Sequence, residues 1–147
     1  MKVAEAIKKA KNNKDVKQLE SDGYYLGSCF TMNNGENWTL HFFNPDQEKI
    51  ANVNVDEKIT IGKQDDMAKP MHKLEKEPKI TLNKALEKAK ENCNLEINKT
   101  VCILHKKEKL EWSITFFSEG LSVHSFSISA KNGKIEKENK DSLLQIN

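Results

Sequence analysis

Any chemistry in this 147-residue chain would rest on four histidines, three cysteines and its carboxylates. His41, His72, His105 and His124 nowhere show the H-x-x-x-H spacing that sets two imidazoles on one helical face for zinc. Cys29, Cys93 and Cys102 form no C-x-x-C pair, and an odd set does not make a disulfide framework. They read as reduced thiols, with a Cys93–Cys102 bridge as the pairing left open. Any cysteine can be matched on paper with any histidine, so a Cys–His nucleophile carries no weight here. The acids are interleaved with lysine, as in Glu75-Lys76-Glu77 and Glu136-Lys137-Glu138, which is the pattern of a solvated face. No G-x-S-x-G, H-E-x-x-H, P-loop or G-x-G-x-x-G occurs. The expectation is a non-enzyme, with no catalytic residue, metal site or cofactor.

Position along the chain gives each histidine a structural reading. His41 alternates with Trp38, Leu40 and Phe42, which puts it on the outer side of a strand or against a second unit. His105 precedes Lys106-Lys107-Glu108-Lys109 and reads as the edge of a solvated turn. His124 falls where the apolar phase slips between Val123 and Phe126, the mark of a bulge. Trp38 and Trp112 have the rings to stack on a ligand. Each instead opens an inward-facing alternation, which reads as core.

Composition narrows the partners. All 24 basic residues are lysine, against 22 acids, for a net charge of +2 with the signs interspersed. There is no broad field to steer a polyanion, and no arginine for bidentate reading of guanine. Sequence-specific nucleic-acid binding is therefore not expected. No run reaches the ~18 apolar residues of a membrane span. The first residues show no apolar signal segment, so the chain as it stands reads as cytoplasmic, and as extracytoplasmic if a leader was removed.

The elements follow from periodicity. Val3, Ala6, Ile7 and Ala10 form a helical stripe, and a polar run follows to the break at Asp22-Gly23. Residues 24–31 alternate as a strand that Gly27 weakens. Asn33-Asn34-Gly35 then signals a hairpin back into the strand Trp38–Phe43. Strands follow at Lys49–Val55 and around Ile59 and Ile61. Residues 63–79, with Pro70 and Pro78, read as a linker pinned by Met67, Met71 and Leu74, with room for a short helix. Thr81 then caps a second helix with the stripe Leu82, Ala85, Leu86 and Ala89. Strands are expected at 96–105, from Trp112, at 121–130, and from Lys134 after Asn132-Gly133. Leu143-Leu144-Gln145-Ile146 suits a last helical turn on the sheet.

The halves overlay. Trp38-Thr39-Leu40-His41-Phe42-Phe43 matches Trp112-Ser113-Ile114-Thr115-Phe116-Phe117, and the stripe at Ala6 and Ala10 matches that at Ala85 and Ala89. Loops absorb the difference in spacing. The expected fold is α+β: a duplicated unit of one helix packed on a three- to four-stranded antiparallel sheet, at 1–62 and 80–147, joined by 63–79, the two packed as one compact unit that shares a core or joins its sheets.

The second unit resembles a PepSY-type domain, the small module of peptidase propeptides. The resemblance rests on Ala85 and Ala89, on Trp112-Ser113-Ile114, and on Ala130-Lys131-Asn132-Gly133-Lys134-Ile135. It covers about residues 80–136, with a degenerate copy from Val3 to Ile61, and Ser129 stands where the family usually has Asp. It implies binding and restraint of a partner rather than catalysis. The leading expectation is a non-catalytic protein-binding or inhibitor-like module that recognises another protein or peptide. A cytosolic toxin-neutralising or host-interaction protein is the alternative, and a small-ligand carrier or enzyme the third.

Overall fold

We describe the protein from a computed structural model, over residues 1–33, 35–66 and 70–142, with the backbone alone for 63–66. The expected anchor Met67, the middle of the Asn33-Asn34-Gly35 turn and the expected helical turn at 143–146 lie outside the described residues.

The first helix, α1 (Val3–Lys11), buries Val3, Ala6 and Ala10 and carries Lys8, Lys9 and Lys11 in its last turn. Cations there complement the negative end of the helix dipole. A second helix, α2 (Lys14–Ser21), occupies the polar run that periodicity had left without structure. Its signal is a cap rather than a stripe: the Asn13 side chain accepts from the N–H groups of Asp15 and Val16, at 2.9 and 3.2 Å. Val16 and Leu19, three apart, are its two buried residues.

Eight strands follow: β1 (Tyr25–Met32), β2 (Trp38–Asn44), β3 (Lys49–Val55), β4 (Ile59–Asp66), then after α3 (Leu82–Glu91), β5 (Ile97–Lys106), β6 (Leu110–Ser118), β7 (Ser122–Ser129) and β8 (Ile135–Ser142). They form one antiparallel sheet in the order β4-β3-β2-β1-β5-β6-β7-β8. This corrects the expected fold. The chain is not a duplicated unit of one helix on a three- to four-stranded sheet but a single eight-stranded sheet with three helices among the described residues. β1 and β5 pair directly, from Ser28 opposite His105 to Met32 opposite Val101, and the sheet runs unbroken through the middle. The helices are unequally shared as well, two before β1 and one after β4. Each four-stranded piece would otherwise leave a strand with unpaired backbone groups, and edge-to-edge pairing satisfies them.

Local chemistry sets the connections. Thr31 pairs with Trp38, so the β1–β2 connection is a longer loop than a two-residue Asn-Gly turn, with Asn33 and Gly35 at positive φ. A methyl group on Gly35 would stand 2.9 Å from Leu82 Cδ2. At Gly27 the β1 register shifts, and a Cβ there would lie 2.9 Å from both Cβ and Sδ of Met71. The glycine marks a bulge and a close approach at once.

The segment after β4 forms no helix between Pro70 and Ile80. Met71 and Leu74 do hold it to the sheet. The Tyr25 hydroxyl donates to the Met71 carbonyl, and the Leu74 N–H donates to Leu26 O at 2.8 Å. Further on, the N–H groups of Lys79 and Ile80 both reach Ala130 O at 2.9 Å.

The three helices share one core with one face of the sheet. Trp38, Leu40, Phe42, Val53, Cys29, Leu104, Trp112, Ile114, Phe116, Phe126 and Ile128 belong to it, together with Ala6, Ala10, Val16, Ala85 and Ala89. Trp38 and Trp112 meet within it, and both indole N–H groups are satisfied by backbone, Trp38 by Met1 O at 2.9 Å and Trp112 by Ile80 O at 2.8 Å.

Candidate interaction face

Because side chains alternate along a strand, the positions between the core residues form the opposite face. The strand registers order them into rows. One row runs Asn54, Thr39, Phe30, Ile103, Ser113, Ser127 from β3 to β7. A second runs Asn52, His41, Ser28, His105, Glu111, Ser129 over the same strands. A third places Met32, Val101, Thr115 and Ser125 on neighbouring strands. Phe30, Val101, Ile103, Phe117 and Val123 are half-buried yet stand outside the core cluster. No described helix packs on them: α1 meets β2 and β3 on the core side, and α3 meets β6 there.

The middle of this face differs from the rest of the surface. Its two central positions on each inner strand are Asn52 and Asn54, His41 and Thr39, Ser28 and Phe30, Val101 and Ile103, Ser113 and Thr115, and Ser125 and Ser127. None is Lys, Asp or Glu, although 31% of the chain is charged. Where the fold only needs a solvated edge it uses charge freely, as in β8, whose exposed run Glu136-Lys137-Glu138-Asn139-Lys140-Asp141 discourages strand addition. Charges return at the border of the face, with Glu111 opposite His105 in the second row and Lys99 over the Phe117 ring at 5.4 Å.

Two of the four histidines lie on this face. His41 is half-buried, with Nδ1 2.8 Å from Ser28 Oγ, and burial lowers its pKa from the ordinary imidazole value. His105 stands at the end of its strand as expected, since β5 runs to Lys106, but it is half-buried rather than solvated. Its Nε2 lies 3.4 Å from Glu111 Oε1 but makes no hydrogen bond, so the two form an ion pair only when the ring is protonated. Burial lowers the His105 pKa and the Lys107 charge adds to that, while the Glu111 carboxylate opposes them. The other two histidines are elsewhere. His72 is exposed on the segment after β4. His124 sits in phase with Phe126 and Ile128 on the core face, not at a bulge; the irregularity of β7 falls at Ser127/Ile128. Its ring stacks 4.2 Å from Phe126, and Nε2 lies 2.6 Å from Glu138 Oε1.

The remaining chemistry stays latent. All three cysteines are free, and burial pushes the thiols of Cys29 and Cys102 up to about 12, well away from a reactive thiolate. No metal-binding group of three or more His, Cys, Asp or Glu occurs among the described residues. A groove of about 630 Å³ opens between the first turns of α1 and α3, lined by Lys2, Glu5, Trp38, Pro78 and Leu82. The sequence alone singles out no binding residue: alternation sets His41 on the outer side of its strand or against a second unit, and nothing in it marks Ser28, Glu111 and the hydroxyl-rich outer positions as a group. Their signal is the use of Ser, Thr and Asn where this chain otherwise places Lys and Glu.

No family model matches the chain, and no curated protein matches it. Among solved structures it is similar to a protein from Clostridium difficile 630 described as a putative lipoprotein, with a TM-score of 0.61 and 12% identity, over 86% of this chain and 89% of that one. At that identity the likeness concerns the fold. No described helix is long and apolar enough to cross a membrane.

Proposed function

We propose that this protein is a non-catalytic binding module whose partner is another protein, docked on the uncovered face of the sheet. The observation that carries this reading is the charge-free middle of that face in a lysine- and glutamate-rich chain. A surface kept only for solubility has no reason to exclude charge, whereas the centre of a protein interface is depleted in it. The PepSY-type resemblance implies restraint of a partner and supports the same role. The description of the structural neighbour as a lipoprotein supports placement outside the cytoplasm.

Photo-crosslinking tests the docking. A photoreactive side chain at Ser113 is expected to give a discrete adduct with one protein. The same group at Lys84 on the outer side of α3 is expected to give none. Equal labelling at both positions, or labelling at Lys84 alone, would overturn the assignment of the face.

A further inference from the structure

The second row of the uncovered face, in which Ser28 and Ser129 are themselves buried, contains two imidazoles with differently built surroundings. His41 sits between Ser28 on β1 and Asn52 on β3, and neither neighbour titrates. Its Nδ1 already contacts the Ser28 hydroxyl, which serves as donor or acceptor as the ring requires. His105 sits between the same Ser28 and Glu111 on β6, and Lys107, from the turn, lies 3.9 Å from that carboxylate. Nε2 of His105 is buried without a hydrogen bond, 3.4 Å from Glu111 Oε1. The titratable and charged groups acting on His105 are therefore Glu111 and Lys107, and burial alone acts on His41.

An unpaired buried ring nitrogen beside a carboxylate is costly unless something uses it. A proton taken from solvent puts an N–H on both nitrogens of the ring, and the Nε2 hydrogen then has an acceptor within reach. We propose that the row His41, Ser28, His105 and Glu111, which runs from the charge-free middle of the docking face to its border, is a proton-operated charge switch, and the role rests on the binding reading above. With both rings neutral, the middle of the face presents hydroxyls, amides and apolar groups, and the Glu111 carboxylate at its border is countered by Lys107. In acid, His105 closes an ion pair with Glu111, and His41 becomes a cation that no described neighbour balances. A partner surface suited to the uncharged face then meets an unpaired positive charge on desolvation, which favours release. Burial depresses both imidazoles, so the neutral state is the one held at physiological pH.

The full chain decides this without a partner. Imidazole nitrogen–proton correlation spectra between about pH 5 and pH 8 follow each ring. Both His41 and His105 are expected to titrate below the free-histidine value of about 6.5. Glu111→Gln is expected to move His105 further down and leave His41 in place. Paramagnetic relaxation of the Ile103 and Ser113 amide protons by an anionic and a neutral gadolinium chelate reads the local potential. Preference for the anionic chelate is expected to appear on acidification and to weaken in His41→Gln. A His105 midpoint at or above the free value, indifference to Glu111→Gln, or an unchanged chelate preference would each overturn the switch. Those failures would leave the photo-crosslinking result intact, whereas crosslinks away from Ser113 would remove the docking face and leave the titration standing.

Discussion

The rings of Trp38 and Trp112 lie with centroids 6.1 Å apart at 50°, and each donates its indole N–H to a carbonyl two residues before a helix begins. The two side chains thus join the halves of the sheet and fix the entry to α1 and α3. Substituting either by Phe removes a satisfied donor and part of a large buried ring, leaving Met1 O or Ile80 O without its partner. Each is expected to cost about 2–3 kcal/mol in urea unfolding. The double substitution should fall short of the sum by about 0.5–1.5 kcal/mol, the coupling of an aromatic pair. Full additivity would show that the rings do not support one another.

Gly27 offers a second check on the packing of the segment after β4. Gly27→Ala drives a methyl into Met71, whose Cβ and Sδ would both stand 2.9 Å away. The expected cost is about 1–2 kcal/mol, since the thioether can move but its Cβ cannot move far. Met71→Ala removes the sulfur and should relieve part of that cost in the double variant. Equal penalties in both backgrounds would mean that Met71 does not lie over the bulge.

Stability should also depend on pH in a defined direction. His41 and His105 have pKa values lowered on folding, so between those values and about 6.5 the unfolded chain binds more protons than the folded one. Stability therefore rises with pH through that window, is fully present above about 6.5, and declines as the pH falls through the folded values. Replacing both histidines by Gln should flatten this part of the profile. A midpoint that increases on acidification from pH 7 to pH 5 would contradict the burial of the two rings.

Thiol reactivity separates the cysteines. Cys29 and Cys102 are fully buried with their pKa values pushed up to about 12, whereas Cys93 is partly exposed. An aromatic disulfide reagent at neutral pH should titrate Cys93 in the native protein and reach the other two after unfolding. Rapid reaction of all three without denaturant would contradict the packing of β1 and β5.

How far the sequence foretold this structure depended on which signal each element carried. Strands with strict alternation, such as Trp38–Phe43 and Trp112–Phe117, were legible because period two separates core from surface. α2 was not, because its two buried residues are too few for a stripe and its identity lies in the Asn13 cap. The joining of β1 to β5 was legible only as one of two ways for the units to pack, beside a shared core. Pairing between strands distant in sequence leaves no periodic trace, so two similar runs of elements read as two units where the chain builds one sheet. His105 was legible as the end of its strand, one residue short of where backbone pairing carries β5, but the lysines after it suggested solvent where its Nε2 is buried. The face itself was visible in part: its hydroxyl and amide positions were present in the strands, but their significance emerges when the registers set them side by side.

Docking on that face is tested most directly by hydroxyl-radical footprinting of the chain free and in complex with its crosslinked partner. The account predicts protection of Phe30, Met32 and Phe117, with unchanged labelling of Leu121 and of the outer sides of α1 and α3. It also predicts that Ile103→Lys abolishes the protection while shifting the unfolding midpoint little, because Ile103 stands outside the core cluster. Protection confined to the helices or to β8, with Phe30, Met32 and Phe117 as reactive as in the free chain, would contradict it.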